Sequence, residues 1–147
     1  MRTLADADPL PRVLAHLQNS PALVRLLGGE DASAAQERIG ADHQPPYPRL
    51  RVRPDGGGSE DPTTLLVVQT IRLEALDSLD HPSGDEHLSR VLAYAVHRVH
   101  MLPGLPTEGG PVITAVRSTM RRQPIPEADG RNRWVTVLEV HAHPTPC

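Results

Sequence analysis

The spacing of apolar residues changes once between Leu65 and Met101, and this change constrains the fold more than any other feature of the chain. From Leu65 to Glu74 apolar side chains recur at alternate positions, which predicts a long strand with at least one buried face. After a polar break the steps become three and four, which predicts one face of an amphipathic helix. This helical stripe consists of Leu88, Val91, Leu92, Ala95, Val96 and Val99. A sheet with a helix packed on it is therefore expected.

The remaining periodicities add a helical start and further strands. The predicted fold class is α+β, with a mixed or antiparallel sheet of about four to five strands, a main helix packed on one face and a short N-terminal helical region. One domain over residues 1–147 is expected, because a chain of this length can bury a single core. Its predicted parts are an N-terminal helical region at 9–28, strands with a Gly-rich loop at 48–75, the main helix at 83–102 and a C-terminal strand pair at 111–142.

Local signals predict how these elements begin and how they are joined. Asp8 ahead of a proline predicts the N-cap of the first helix, and Ser83-Gly84-Asp85-Glu86 has the spacing of a capping box. A short extended segment is expected around 37–42, and alternation over 49–53 predicts an edge strand with a charged outer face. The segment 54–62, with three consecutive glycines, predicts a mobile loop, and 121–133 is longer than a tight hairpin needs. Such long loops often contact a partner.

Composition narrows the class of partner. All 15 basic residues are arginine and the formal net charge is −3, which gives no overall attraction to nucleic acid. With no Phe, one Trp and two Tyr, the chain lacks the aromatic platforms of base-stacking proteins. Cys147 is the single cysteine, so neither an intrachain disulfide nor a thiolate metal cluster is expected. No signal-like or membrane-length apolar run occurs, so no membrane contact is expected.

The histidines are the natural candidates for chemistry. His97 and His100 stand three apart on the predicted helix, and His141 and His143 share one face of the last strand. Zinc needs a third or fourth ligand, and no H-E-x-x-H spacing supplies one. No serine stands in a pattern that implies a neighbouring histidine and carboxylate. We therefore expect no catalytic residues, no metal and no cofactor.

Charged residues cluster in two places that could meet another subunit. Three arginines share one side of the strand predicted at 49–53, where a solvated strand face competes with a surface for an acidic partner. A second group surrounds the long C-terminal connection, where both signs of charge occur. The candidate subunit-contact residues are Arg49, Arg51, Arg53, Arg117, Arg121, Arg122, Glu127, Asp129, Arg131 and Arg133.

The order and length of these elements resemble the tail terminator proteins of long-tailed bacteriophages, the small α+β subunits that cap the tail tube and join it to the head. The resemblance rests on the runs Pro11-Arg12-Val13-Leu14, Pro48-Arg49-Leu50-Arg51-Val52 and Leu65-Leu66-Val67-Val68-Gln69. It continues through the helix at 88–101 and the strand pair at 112–120 and 134–140. Nearly the whole chain is covered, by element order rather than by a signature motif.

The resemblance implies a structural virion protein without enzymatic activity, at the head-proximal end of the tail and assembled in the host cytoplasm. It also implies a homo-oligomeric ring, usually a hexamer, that contacts the major tail tube protein and a head-completion or neck protein. Genomic DNA would pass through the lumen without sequence-specific binding. Three alternatives stay open: another phage neck or head–tail connector protein, a small metal-dependent enzyme that uses the histidines, and a peptide-binding adaptor with an exposed sheet edge.

Overall fold

The computed structural model describes residues 2–29, 32–106 and 109–145, which form helices packed on a sheet. Cys147 lies outside the described residues. The helices are α1 (Leu10–Gln18), α2 (Pro21–Leu26), α3 (Ala32–Arg38) and α4 (Asp85–His100), with 3₁₀ turns at Leu4–Ala7 and Leu102–Gly104. The strands are β1 (Ile39–Gly40), β2 (Arg49–Pro54), β3 (Ser59–Asp61), β4 (Leu66–Leu76), β5 (Val112–Pro124) and β6 (Arg133–His143).

The six strands form one sheet in the order β1-β2-β4-β6-β5, and β3 pairs with β4 beyond the end of β2. β1 is parallel to β2, and all other strand pairs are antiparallel. This architecture confirms the predicted α+β class. Two short strands, β1 and β3, raise the strand count above the expected four to five, because tertiary pairing extends segments too short to show a clear alternation.

The main helix α4 packs on one face of the sheet and supplies a large part of the core. Its buried residues Leu88, Val91, Leu92, Ala95 and Val99 have no exposed surface. They belong to one apolar cluster with Ile71 and Leu73 of β4 and with Leu138 and Val140 of β6. Val96 shares the predicted stripe but is only half-buried, because it lies at the margin of the strip that contacts the sheet.

Truncation of two valines of α4 tests this packing with a matched pair. We expect Val91→Ala to lower the free energy of unfolding by about 2 kcal/mol, because its lost methyl groups leave a cavity in a closed core. For Val96→Ala we expect a loss below about 1 kcal/mol, because solvent already reaches that side chain. Urea denaturation of both variants measures the two losses. Equal losses would contradict the different burial of the two positions.

The N-terminal helices begin close to the positions that the sequence indicates. Pro9, rather than the predicted Asp8, holds the N-cap position of α1. Asp8 stands one residue earlier, and its carboxylate still accepts a hydrogen bond from the Leu10 amide at 3.0 Å. The Ser20 hydroxyl caps α2 by accepting from the Leu23 amide. The local signals therefore place these helix starts to within one residue.

The predicted capping box at the start of α4 is wrong. Gly84 holds the N-cap position and no side-chain hydrogen bond caps the helix there. Instead, the carboxylate of Asp77 accepts from the backbone amides of Ser78 and Ser83, both at 2.9 Å, and of Gly84 at 3.1 Å. The side-chain amide of Asn132 donates a fourth hydrogen bond at 3.1 Å. Burial alone would raise the pKa of Asp77, but these hydrogen bonds outweigh it and hold the pKa below its usual value.

The Gly-rich segment is not the simple loop predicted for 54–62. Its last residues form β3, which pairs with Leu66–Val68, so the chain reverses at 62–65. Gly58 makes this path possible: its φ is +88°, and a Cβ there would lie 2.1 Å from the carbonyl oxygen of Val68. The hairpin of β3 and the start of β4, residues 59–68, projects beyond the end of β2, and we call it the arm.

The C-terminal strands are longer than expected and their connection is shorter. β5 extends to Pro124 and β6 begins at Arg133, so the connection covers 125–132 instead of 121–133. Three register shifts between β5 and β6 break the alternation predicted for β5. In the described part of the chain, no helix is long and apolar enough to cross a membrane.

Candidate functional surface: the charged face of the sheet

Side chains alternate along each strand, which divides the sheet into a helix face and a charged face. The helix face packs against α4 through residues such as Val52, Leu73 and Leu138. The charged face carries the residues between these positions. Its charged and histidine side chains include Arg49, Arg51, Arg53, Arg72, Glu74, Arg117, Arg133, Glu139 and His141.

Glu74 lies at the centre of this face and has no exposed surface. Its Oε1 atom lies 2.8 Å from Nε of Arg53 and 3.9 Å from Nη1 of Arg51, and its Oε2 atom accepts from Nη1 of Arg133 at 3.3 Å. The close approach of Arg53 is not aligned as a hydrogen bond, so it acts as an ion pair. We call these four residues the Glu74 cluster. A buried carboxylate among three guanidinium groups is stable only while its partners remain.

The cluster continues into two loops that cover the charged face near Glu74, the loop 41–48 before β2 and the loop 125–132 between β5 and β6. Arg133 also lies 3.6 Å from Glu127, whose carboxylate contacts the ring of His43 at 2.8 Å. His43 forms a second hydrogen bond with the Tyr47 hydroxyl at 2.7 Å. Arg131 lies 3.6 Å from Glu127 and stacks over the Tyr47 ring, with 4.0 Å between the guanidinium carbon and the ring centroid. The network thus fastens both loops to the sheet.

Two of the predicted subunit-contact residues lie inside the subunit. Arg49 is 2% exposed and donates to the Gln44 carbonyl, and burial lowers the pKa of its guanidinium. Arg131 is 8% exposed and donates to the Asp77 carbonyl. The strand of Arg49 is also not a free edge at Leu50 and Arg51, because β1 pairs with these two residues on its outer side. The solvated strand face predicted at 49–53 is therefore wrong for Arg49, whereas the side chains of Arg51 and Arg53 are 23% and 36% exposed and lie beside Glu74.

The other predicted contact residues are spread over the remainder of the sheet. Arg51 and Arg53 belong to the Glu74 cluster, and Glu127 and Arg133 belong to its extension. Asp129 lies 3.9 Å from Arg131 and is half-exposed. Arg122 is on β5 and donates to the carbonyl and hydroxyl of Ser89 in α4, both at 2.9 Å. The structure therefore joins six of the ten residues in one network. Arg49 and the three arginines of β5 lie outside this network.

The open end of the charged face is formed by β5 and β6. Arg117 has a side chain that is 71% exposed and lies 3.2 Å from Glu139, while Arg121 is exposed farther along β5. The pKa of Glu139 is below its usual value, mainly because His141 forms a 2.8 Å hydrogen bond with its carboxylate and secondly because of Arg117. Solvent screens these contacts, so both arginines can pair with charges from outside the subunit.

The histidines do not converge. His97 and His100 are exposed on α4, and the His100 ring bonds the Val96 carbonyl of the same helix. His141 contacts Glu139, and His143 bonds the carbonyl of Pro144. Among residues 2–29, 32–106 and 109–145, no group of three or more His, Cys, Asp or Glu side chains could hold a metal ion.

Sequence reasoning missed the residues that organise this face: Glu74, His43, Tyr47 and Asp77. One signal was available, because Glu74 interrupts an apolar strand and therefore requires a buried partner of opposite charge. The arginines at alternate positions of β2 could supply that partner. His43 and Tyr47 lie in a proline-rich segment without periodicity, so no pattern indicated their role.

Comparisons with known proteins give a fold relative but no sequence family. No protein-family model matches the chain, and no curated protein gives a significant match. Among solved structures, the chain is similar to a chain described as part of the virion of a native gene transfer agent particle. The superposition has a TM-score of 0.59 at 16% sequence identity, and it covers 89% of this chain and 91% of that chain. The similarity shows that the two chains share a fold over nearly their whole lengths, and at this low sequence identity it shows the fold alone.

Proposed function

We propose that the protein is a structural subunit of a phage-like particle, and specifically that it caps the tail tube and joins the tail to the head. The observation that carries the proposal is the fold shared, over 89% of the chain, with a chain of a gene transfer agent virion. The element order that resembles tail terminator proteins supports the same assignment.

The character of the surface also supports a structural role. The charged side chains with the closest contacts hold loops to the sheet instead of facing a cleft. The exposed arginines Arg117 and Arg121 lie along a sheet edge, where a neighbouring protein could meet them. In this proposal several copies form a closed ring, a hexamer by resemblance, that contacts the tail tube protein on one side and a neck protein on the other. DNA passes through the ring without base recognition.

Deletion of the gene from the strain that encodes it tests this role. We expect tails that do not join to heads and that vary in length, because no cap ends the tube. Loss of a neck protein would also leave heads and tails apart, but with tails of normal length. Expression of the wild-type chain in the deleted strain should restore joined particles. Normal joined particles without the gene would reject the proposal.

A further inference from the structure

Among the described residues, three strands of the sheet have a partner on one side only, namely the two-residue strand β1 and the longer strands β3 and β5, and β3 and β5 lie on opposite sides of the sheet. β3 pairs with β4 on one side and has no strand on the other side within the described ranges. β5 pairs with β6 and likewise has no strand along its outer side among the residues described. Unpaired edges present rows of free amides and carbonyls, which another strand can bond. Each edge is therefore a possible site of strand addition.

The two edges match in length. Register shifts divide β5 and leave one regular stretch, Ala115–Ser118, in which each residue pairs with one residue of β6. β3 has three residues, all exposed, which fits within this stretch. Most of the β5 side chains are also exposed or half-exposed. The bulges on either side would block a longer or shifted pairing.

The two edges also match in charge. β3 carries Glu60 and Asp61, while β5 carries Arg117 and Arg121, and all four residues are exposed. Asp61 pairs with Leu66 of β4, and Arg117 pairs with Glu139 of β6. Cross-strand partners share a face, so Asp61 and Arg117 both lie on the charged face of the sheet. A sheet continued from β5 to β3 would bring these opposite charges to the same face.

The edges cannot meet within one subunit. β4 and β6 lie between β3 and β5, which separates the two edges by three strand spacings, or about 14 Å.

The arm has features that suit an external contact. Leu66 near its tip is 51% exposed, and Leu65 has a φ of +58°, a conformation that costs a non-glycine residue energy.

We propose that β3 of one copy adds to the outer edge of β5 of a second copy, at Ala115–Ser118. The contact joins two different surfaces, so each copy has one donor edge and one acceptor edge, and repetition forms a ring when the rotation between copies closes. Within a subunit β3 and β5 run in opposite directions through three antiparallel pairings. For strands that run along the ring axis, rotation about the axis leaves their direction unchanged, so the new pair of β3 and β5 is antiparallel. This inference rests on the proposed function only for the expectation that the copies form a closed ring.

Thiol cross-linking of the full-length chain tests this contact. In a Cys147→Ser background, Ser59→Cys and Ala115→Cys place thiols on exposed sites that share the charged face. A short bis-maleimide should convert the double variant into a ladder of dimers, trimers and larger species on a denaturing gel. Each single variant should stop at dimers, because it has one thiol per chain. The control Ser59→Cys with Glu86→Cys places the second thiol on the solvent side of α4 and should give no ladder.

A charge reversal tests the identity of the acceptor edge. Adding Arg117→Glu to the cross-linking variant should reduce the ladder about fivefold, because it replaces an attraction with a repulsion. Arg90→Glu reverses an exposed arginine on α4 and should leave the ladder unchanged. Bands no different from the Glu86 control, or equal effects of the two reversals, would overturn the inference. Its failure is separate from that of the proposed function, because gene deletion tests the tail role without reference to these edges.

Discussion

Replacing Glu74 with alanine is expected to lower the free energy of unfolding by about 3 kcal/mol. The carboxylate has no exposed surface and compensates three partly buried guanidinium groups, those of Arg51, Arg53 and Arg133. Removing one partner of a buried ion cluster leaves like charges close together without compensation. The same loss should loosen the loop 125–132, because Arg133 links Glu74 to Glu127. Urea denaturation measures the stability, and amide exchange measures the loop.

Two further variants separate charge from packing in this cluster. Glu74→Gln keeps the shape of the side chain without its charge and should cost less than Glu74→Ala but more than a surface change. Glu139→Ala removes a carboxylate from the open end of the same face, where Arg117 remains largely exposed, and should change stability little. A Glu74→Ala variant as stable as the Glu139→Ala variant would contradict the structural role of the cluster.

Replacing Asp77 with alanine is expected to cost about 3 kcal/mol, because four hydrogen bonds converge on its carboxylate. Three of their donors are backbone amides at and before the start of α4, so the helix should fray from that end. Asp80→Ala is the matched control, since Asp80 lies exposed in the same connection. Similar melting temperatures for the two variants would show that the helix start does not depend on Asp77.

The stability contributed by Asp77 should also depend on pH. Because the folded state lowers the pKa of this carboxyl, the contribution is complete above the pKa of the unfolded chain and is lost as pH falls through the folded value. Below about pH 5 the wild-type chain should therefore lose stability more steeply than Asp77→Asn. Denaturation curves at a series of pH values measure the two slopes, and equal slopes would exclude Asp77 as the source.

The elements that could be predicted from the sequence are those whose residues repeat over several turns or pairs. The stripe from Leu88 to Val99 identifies α4 because burial on one helix face imposes its period directly. The alternation from Leu66 identifies β4 for the same reason. The bulges of β5 leave no such trace, since one added residue shifts the alternation without a change in composition.

The charged face could be predicted only in part, because it depends on contacts between distant segments. The alternating arginines of β2 predict a solvated face, but Arg51 and Arg53 pair with Glu74 of another strand and Arg49 is buried. Ser83 satisfies the local rule for a cap, yet the buried carboxylate of Asp77 bonds its amide instead. Gly58 appears as part of a flexible glycine run, but it has a specific role where β3 approaches β4. In each case a tertiary contact decides between conformations that the local sequence permits.

The location of the chain within purified particles is the most direct test of its proposed role. A cryo-electron microscopy reconstruction of particles from the wild-type strain should contain a closed ring of this fold at the head-proximal end of the tail. The main helix should be recognisable on one face of a sheet that is continuous from one copy to the next. Particles that lack the chain, or that hold it at the distal tip or in the head shell, would contradict the assignment.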